Sequence, residues 1–333
     1  MTERDDSAPI LVPSPSNDST IRVIPEEWKA PIKLAELESV LKARDVELEY
    51  RIVRYLSEND RMVSRLYADE TSKALNRYRE MVPFKENRVT LSDGSYINAS
   101  YMPGADPGKK KAYIACQGPL THTIPDQWDM IWTEKVSGVL TIGNLKEGTT
   151  EKIAQYWPEQ KGDSIEVKRG GKVFQIFCTE QRQLFQGLIE RILLVELGTE
   201  KRNVNHYHFT AWPDHGAVPP SVLIALASLL KHERIAHPSE PVVVHCSAGV
   251  GRTGTVLTMS NAVESVETQL VANNGDLSKC SVSVMQTVLA LRECRVHIIE
   301  RTWQYESVYA AIQELVKTHK KGDPSFCPKL NNQ

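Results

Sequence analysis

Apolar and polar positions along the chain follow two periods, and each period predicts one kind of element. Apolar residues at helical spacing predict one or two helices over roughly 33–58. Later helices are predicted where the same spacing recurs, twice with a proline near the start: 124–135, 220–237, 253–266, 281–295 and 302–319. Short β-rich runs between these helices predict strands, and they fall at 96–102, 112–118, 136–145, 175–182, 191–198, 206–213 and 242–245.

The order of these elements predicts the fold class. The strands lie in the middle of the chain, helices lie at both ends, and no internal repeat or long linker divides the core. We therefore expect an α/β protein with a single domain over 25–320. Residues 1–24 are rich in Ser, Pro and Asp and are predicted to form a disordered arm. Residues 321–333 are polar and contain proline, which predicts a flexible tail.

The composition of the chain disfavours several classes of protein, including nucleic-acid-binding, membrane-spanning and disulfide-rich proteins. The chain has 333 residues, of which 41% are hydrophobic and 25% charged, with a formal net charge of −2. This balance gives no general attraction to nucleic acid, and no apolar run is long enough to cross a bilayer. The six cysteines are scattered without CxxC pairs, so zinc and a disulfide framework are both disfavoured. We expect a reduced intracellular compartment, the cytoplasm with the nucleus as an alternative.

Residues 242–255, VVVHCSAGVGRTGT, join a predicted strand to a predicted helix through a loop of small residues. Backbone N–H groups at a helix N-terminus form a binding site, or cradle, for anions. Glycines in such a loop allow the backbone to approach the ligand closely. Arg252 adds a fork of donors that matches two phosphate oxygens. Positive surroundings favour the thiolate form of a cysteine, so Cys246 would lie in this cradle as a nucleophile. The pattern predicts phosphoryl transfer to sulfur without a metal ion or cofactor.

Other interpretations of the loop are weaker. A nucleotide-binding loop of the GxxxxGK type is excluded, because no lysine with a following serine or threonine comes after the glycines. Cys246 as an ordinary buried thiol is the other alternative, and the order of histidine, cysteine, three glycines and arginine after a strand disfavours it. The lysine cluster at 109–111 is interpreted as a solvated loop.

The loop also resembles the signature of the cysteine-dependent, tyrosine-specific protein phosphatases. HCSAGVGRTG is the signature block, and further blocks resemble that family in the family's order over roughly 35–318: NRY, YINAS, YIACQGPL, IPDQWDMIW, AQYWP, HYHFTAWPDHGAVP and LRECR. The resemblance implies one domain with a highly twisted mixed central sheet and helices on both faces. It implies hydrolysis of phosphotyrosine in proteins through a phosphocysteine intermediate.

The resemblance also implies the catalytic roles. Cys246 would be the nucleophile and Arg252 the group that binds phosphate and stabilises the transition state. Thr253 would hydrogen-bond the sulfur as it leaves, and His245 would orient the loop and support the thiolate. Asp214 in WPDHG would protonate the leaving oxygen from a loop that closes over the substrate, although a WPD tripeptide alone is often a simple turn.

Substrate-binding roles follow from the same resemblance. Tyr78 of NRY would stack on the substrate ring and set a pocket depth that suits phosphotyrosine, although an ordinary packed tyrosine is the alternative. Glu147 and Lys152 match positions that hold the arginine clamp and the acid loop, with a solvated charged loop as the alternative. The remaining contacts to substrate would come from the loop itself and from the last functional loop: Ser247, Ala248, Gly249, Val250, Gly251, Glu300 and Gln304.

The sequence departs from the family pattern in two places, at Glu80 and at the adjacent pair Glu300 and Arg301. Glu80 stands where the family usually has an aspartate that grips the substrate backbone, which puts peptide affinity in doubt. Glu300 and Arg301 stand where the family usually has glutamine and threonine, whereas Gln304 is kept. The usual glutamine positions the hydrolytic water, and a carboxylate there would repel the incoming dianion. We therefore expect slow breakdown of the intermediate.

The sequence is compatible with three functions. The leading prediction is an active, monomeric signalling phosphatase whose partners are phosphotyrosine proteins. A phosphotyrosine-binding pseudophosphatase, or a weakly active enzyme, is the alternative that Glu300 and Glu80 motivate. A dual-specificity or phosphoinositide phosphatase shares the cysteine loop, but Tyr78 and its block disfavour it.

Overall fold

A computed structural model describes residues 25–67, 69–106, 108–213, 216–323 and 325–326. The arm predicted over residues 1–24 lies outside the described residues. No helix within the described ranges is both long and apolar enough to span a membrane.

The strands have the following bounds: β1 Ile32–Lys33, β2 Arg88–Thr90, β3 Tyr96–Met102, β4 Tyr113–Cys116, β5 Gly138–Ile142, β6 Lys146–Glu147, β7 Thr150–Glu151, β8 Ser164–Arg169, β9 Lys172–Phe185, β10 Leu188–Leu197, β11 Glu200–Phe209, β12 Val242–His245 and β13 Ser281–Val282.

The α-helices have the following bounds: α1 Glu26–Lys29, α2 Leu37–Ala43, α3 Val46–Ser57, α4 Asp60–Arg65, α5 Ile124–Thr133, α6 Pro220–Ala236, α7 Gly251–Ala272, α8 Val284–Arg292 and α9 Thr302–Thr318. Short 3₁₀ helices lie at Leu34–Glu36, Glu70–Leu75, Thr121–Thr123 and Leu277–Lys279.

The central sheet is mixed and has nine strands in the order β2-β3-β4-β12-β5-β11-β10-β9-β8. The strand β12 lies between β4 and β5 and is parallel to both, and β5 is also parallel to β11. The other neighbours are antiparallel, and tight turns join β8 to β9, β9 to β10 and β10 to β11. The carboxyl end of β12 therefore opens at the middle of the sheet, where a loop is supported from both sides.

Two hydrophobic cores cover the two faces of this sheet. Val242 and Val244 of β12 belong to one core, which also takes the buried faces of α3, α6, α7 and α9. Val243 belongs to the other core, together with Trp128 of α5 and residues of the long β9–β10 hairpin. Because successive side chains of a strand point to opposite faces, the apolar run of β12 is explained by burial on both sides. The predicted fold class, a single domain with a mixed sheet flanked by helices on both faces, is confirmed.

The predicted helices and the seven predicted strands are present, with some shifted ends. The strand predicted over 206–213 ends at Phe209 and begins much earlier, at Glu200. Part of the segment predicted as a flexible tail packs on the domain, because Phe326 is buried and its N–H donates to Glu267 at 2.9 Å. The tail beyond Phe326 lies outside the described residues.

Candidate active site

The loop after β12 turns its carbonyl groups outward. Four consecutive carbonyl oxygens accept hydrogen bonds from groups outside the loop: Ser247 from Gly118 N–H (2.9 Å), Ala248 and Gly249 from the Arg295 guanidinium (3.1 and 2.9 Å), and Val250 from Ile299 N–H (3.1 Å). The N–H and C=O of a trans peptide point in opposite directions. The N–H groups of residues 248–251 therefore face inward, which makes the anion cradle expected from the sequence.

Gly249 allows the loop to take this shape. Its φ is +72°, a left-handed conformation that strains residues with a side chain. A Cβ there would also lie 2.0 Å from the Cys116 carbonyl oxygen. The loop therefore packs against β4 at a distance that only glycine permits.

Cys246 lies at the centre of the cradle. Its side chain is almost fully buried, and the Gly249 N–H points at Sγ with a nitrogen–sulfur distance of 3.3 Å. The 22-residue helix α7 begins at Gly251, so its N-terminal dipole is directed at the same place. Burial raises the pKa of the Cys116 thiol to about 12 and that of Cys294 to about 11, so these two thiols are protonated at neutral pH.

Arg252 spans the mouth of the loop. Its Nη1 lies 3.0 Å from Oε1 of Glu147, and Lys152 Nζ lies 3.5 Å from the other oxygen of the same carboxylate. Its Nη2 donates to the Pro213 carbonyl at 3.4 Å. Glu147 and Lys152 therefore lie together at the arginine, rather than in a fully solvated loop.

His245 is buried and holds the loop from below. Burial lowers the pKa of its imidazole to about 4, so the ring is neutral at physiological pH. Nδ1–H donates to the Cys246 carbonyl at 3.0 Å, and Nε2 accepts from the Tyr156 hydroxyl at 2.8 Å. Thr141 Oγ1 also lies 2.9 Å from Nε2. A neutral ring in this position orients the loop backbone and adds no full positive charge beside the sulfur.

Arg295 is a functional candidate that the sequence reasoning did not single out. Its guanidinium is fully buried and donates to the Ala248 and Gly249 carbonyls. It also contacts Asn98 Oδ1 at 2.8 Å and Ser100 Oγ at 3.3 Å, both in β3. It thus ties the loop to the sheet. The only sequence signal was its place in the LRECR block.

Tyr78 reaches the loop directly. Its hydroxyl lies 2.9 Å from Ser247 Oγ, and Ser247 Oγ in turn donates to the Lys152 carbonyl at 2.9 Å. The hydroxyl of Tyr78 is therefore the donor in the first of these bonds. Glu80, two residues further, is exposed.

Three further predicted site residues, Thr253, Glu300 and Gln304, lie on the α7 side of the loop. Thr253 is fully buried, and its Oγ1 has no hydrogen-bond partner among the described residues. Oε2 of Glu300 lies 3.3 Å and Nε2 of Gln304 lies 2.8 Å from where a Cβ on Gly251 would be. Gln304 Oε1 accepts from the Glu300 N–H at 2.8 Å. The structure therefore places Glu300 and Gln304 beside the first residue of α7, and their contact with substrate stays a prediction.

Asp214, the predicted general acid, lies outside the described residues. The residues before it are described: Trp212 is buried, and the Pro213 carbonyl meets Arg252. The role of Asp214 stays a prediction.

Comparisons with known proteins agree with one another. The family described as "Protein-tyrosine phosphatase" matches residues 72–314 of this chain. Mouse tyrosine-protein phosphatase non-receptor type 5 is 33% identical over 251 residues, which are 71% of this chain and 42% of the relative. Human tyrosine-protein phosphatase non-receptor type 7 is 35% identical over 244 residues, 70% of this chain and 62% of the relative. The chain thus spans less than two thirds of the length of these relatives.

A solved structure shows the same likeness. The catalytic domain of human protein tyrosine phosphatase non-receptor type 18 is 26% identical, with a TM-score of 0.71. The match covers 84% of this chain and 99% of that one. A complex of the same phosphatase with HER2 phosphopeptides is 25% identical, has a TM-score of 0.73, and is matched over 85% of this chain and 99% of that one.

Proposed function

This chain belongs to the protein-tyrosine phosphatase family, and we propose that it hydrolyses phosphotyrosine in proteins through a phosphocysteine intermediate without a metal ion. The observation that carries this proposal is the set of four outward carbonyls, which leaves a ring of N–H groups around Cys246. Such a ring binds the three non-bridging oxygens of a phosphoryl group and stabilises the charge of the transition state.

In the first step, the Cys246 thiolate attacks phosphorus and the bond from phosphorus to the phenolic oxygen breaks. Asp214 gives its proton to the departing phenolate. Arg252 binds two of the phosphoryl oxygens, and its ion pair with Glu147 fixes the plane of the guanidinium. The products are a tyrosine side chain and phosphocysteine.

In the second step, a water attacks phosphorus and the phosphorus–sulfur bond breaks. Asp214, now ionised, takes a proton from the water, and inorganic phosphate leaves. The unpartnered Oγ1 of Thr253 supports a role as donor to the sulfur as it becomes anionic again. Gln304 and Glu300 lie beside Gly251, where they can influence the attacking water and the dianion.

The selectivity for phosphotyrosine rests on Tyr78. Its hydroxyl donates to Ser247 Oγ, and we infer that its ring lines the entrance to the cradle. A tyrosine ring in this position would admit a long aryl phosphate to the sulfur and leave the shorter phosphoserine out of reach. We propose phosphotyrosine proteins as partners, in agreement with the phosphopeptide complex of the type 18 phosphatase.

We propose that the protein acts in signalling in the cytoplasm, with the nucleus as an alternative, and that its catalytic domain is monomeric. The names of the non-receptor relatives support an intracellular location. Imaging of the tagged full chain and sedimentation of the purified protein test these two points.

The deciding assay is aryl phosphate hydrolysis in EDTA with wild-type protein and the Cys246→Ser variant, followed by matched phosphotyrosine and phosphoserine peptides. We expect activity in EDTA, its loss in the variant, and a strong preference for phosphotyrosine. An inactive wild type that still binds phosphotyrosine peptide would indicate the binding module instead. Equal rates on both peptides would indicate a dual-specificity enzyme.

A further inference from the structure

A buried carboxylate lies outside the site and joins two helices. Glu49 of α3 is fully buried and accepts hydrogen bonds from Tyr305 and Tyr309 of α9, at 2.5 and 2.7 Å. Its second oxygen binds Arg44 at 2.8 Å. Burial holds the pKa of both phenols well above the usual range, so both remain donors. This cluster fixes α3 against the helix that begins beside the active site.

The next residue of α3 contacts the turn that precedes α9. The hydroxyl of Tyr50 donates to the Ile299 carbonyl at 3.1 Å, and its ring lies 5.5 Å from that of Tyr305. Arg292 donates to the same carbonyl at 2.7 Å and to the Ile298 carbonyl at 2.8 Å. The turn is therefore held by α3 on one side and by Arg292 on the other.

This turn needs such support. His297 and Ile299 have φ values of +57° and +58°, and a β-branched residue rarely adopts this conformation. Strained backbone persists where surrounding contacts over-determine it, and such positions concentrate at functional sites. The Ile299 N–H binds the Val250 carbonyl of the loop, and the next residue is Glu300. A relaxed turn would displace Gln304, whose Oε1 accepts from the Glu300 N–H and whose Nε2 lies beside Gly251, where it can orient the attacking water.

We propose that Tyr50, fixed by the Glu49 cluster, is a positioning residue for the turn over 297–300 and so controls how fast the phosphoenzyme is hydrolysed. The reaction step in this inference rests on the proposed function, whereas the positioning of the turn does not. Tyr50 acts through the Ile299 carbonyl and touches none of the reacting atoms. Helix α3 thereby contributes to the release of phosphate although it lies outside the active site.

The test compares Tyr50→Phe with Tyr55→Phe, a substitution at an exposed position of the same helix. Loss of one hydrogen bond should slow breakdown of the phosphoenzyme about fivefold and leave its formation unchanged. Rapid quench separates the two steps. Hydrogen exchange of the segment 297–304 should be faster in Tyr50→Phe and unchanged in Tyr55→Phe. Glu49→Gln, which weakens the anchor at a second point, should act in the same direction.

The two readouts separate the possible failures. Unchanged exchange at 297–304 in both Tyr50→Phe and Glu49→Gln would overturn the positioning role, whatever the activity. Faster exchange with an unchanged rate of breakdown would overturn the link to hydrolysis. If the wild type forms no phosphoenzyme, the proposed function and this link fail, and hydrogen exchange still decides the positioning of the turn.

Discussion

Glu147 and Arg252 form an ion pair across the mouth of the loop, with 3.0 Å between Oε1 and Nη1. Both side chains are less than a fifth exposed, so solvent screens the pair less than a surface salt bridge. Glu147 lies in a short hairpin, and Arg252 lies in the first turn of α7. The pair therefore sets the orientation of the guanidinium before any phosphate arrives.

Glu147→Gln should weaken this preorganisation. A hydrogen bond to a charged partner contributes about 1.5–3 kcal/mol, so kcat/KM should fall at least about tenfold. Steady-state kinetics on an aryl phosphate measures this change. The control is Glu200→Gln, which removes a largely exposed partner of Arg202 and should leave kcat/KM unaltered. An unaltered kcat/KM in Glu147→Gln would show that the pair does not orient the arginine.

Asp214→Asn should remove the general acid. General acid catalysis contributes about 10²–10⁴ in rate, so kcat should fall by that factor on phosphotyrosine peptides. The loss should be smaller on an aryl phosphate whose leaving group is already a weak base, because that oxygen needs no proton. Comparison of the two substrates checks the prediction. An equal loss on both would contradict the role as acid.

Glu300→Gln should speed breakdown of the phosphoenzyme. The Glu300 carboxylate lies beside Gly251, where its charge repels the phosphoryl dianion. The neutral amide removes that repulsion and can orient water, so less phosphoenzyme should accumulate in rapid quench. Glu306→Gln, at an exposed position of α9, is the matched control. If phosphoenzyme accumulates equally in wild type and Glu300→Gln, Glu300 has no part in this step.

Stability should fall between about pH 6.5 and pH 4 because of His245. Burial lowers the pKa of its imidazole from 6.5 to about 4, so the unfolded chain binds more protons than the folded one across this window. The stabilisation is complete above pH 6.5 and is lost as pH falls toward 4, by at most about 3 kcal/mol. His206 and His208, whose pKa values burial also lowers, act in the same direction.

Urea unfolding at pH 7 and pH 5 measures this dependence in wild type and in His245→Asn. The variant should lose less free energy of unfolding between the two pH values. An equal loss in both proteins would show that His245 does not titrate differently on folding.

Gly249→Ala should break the cradle. The new Cβ would meet the Cys116 carbonyl oxygen at 2.0 Å, and a φ of +72° costs a residue with a side chain about 1–3 kcal/mol. We expect loss of activity beyond about a hundredfold and weaker inhibition by inorganic phosphate. Gly171→Ala, where a Cβ meets no atom within 4 Å, is the control and should behave as wild type. Retained inhibition by phosphate would contradict the prediction.

The sequence correctly predicted the elements that are determined by the local pattern of apolar and polar residues. Helices such as α6 and α9 have unbroken apolar spacing, and the buried run of β12 stands out before the glycine loop. The strand β8 was missed because its residues are mostly exposed and polar, as is common at a sheet edge. The ends of β11 depend on pairing with β10 and β5, which the sequence does not display.

At the site, the sequence predicted the residues that belong to dense motifs. It did not predict Arg295, whose bonds to the Ala248 and Gly249 carbonyls join positions about 46 residues apart. It likewise gave no role to Glu49 and Tyr50, which appear as ordinary members of a helix until the fold brings α9 and the turn beside them. Long-range hydrogen bonds of buried polar groups leave no periodic signal.

The position of β12 inside the nine-stranded sheet affects the order in which parts of the protein unfold on heating. Its neighbours on both sides are themselves interior strands, and both faces are sealed by side chains, so opening must begin at the rims of the sheet. The strand β12, which precedes Cys246, is therefore among the last elements to unfold. A partly unfolded molecule would still bind a phosphate ester after the hairpins at the sheet edges have unfolded.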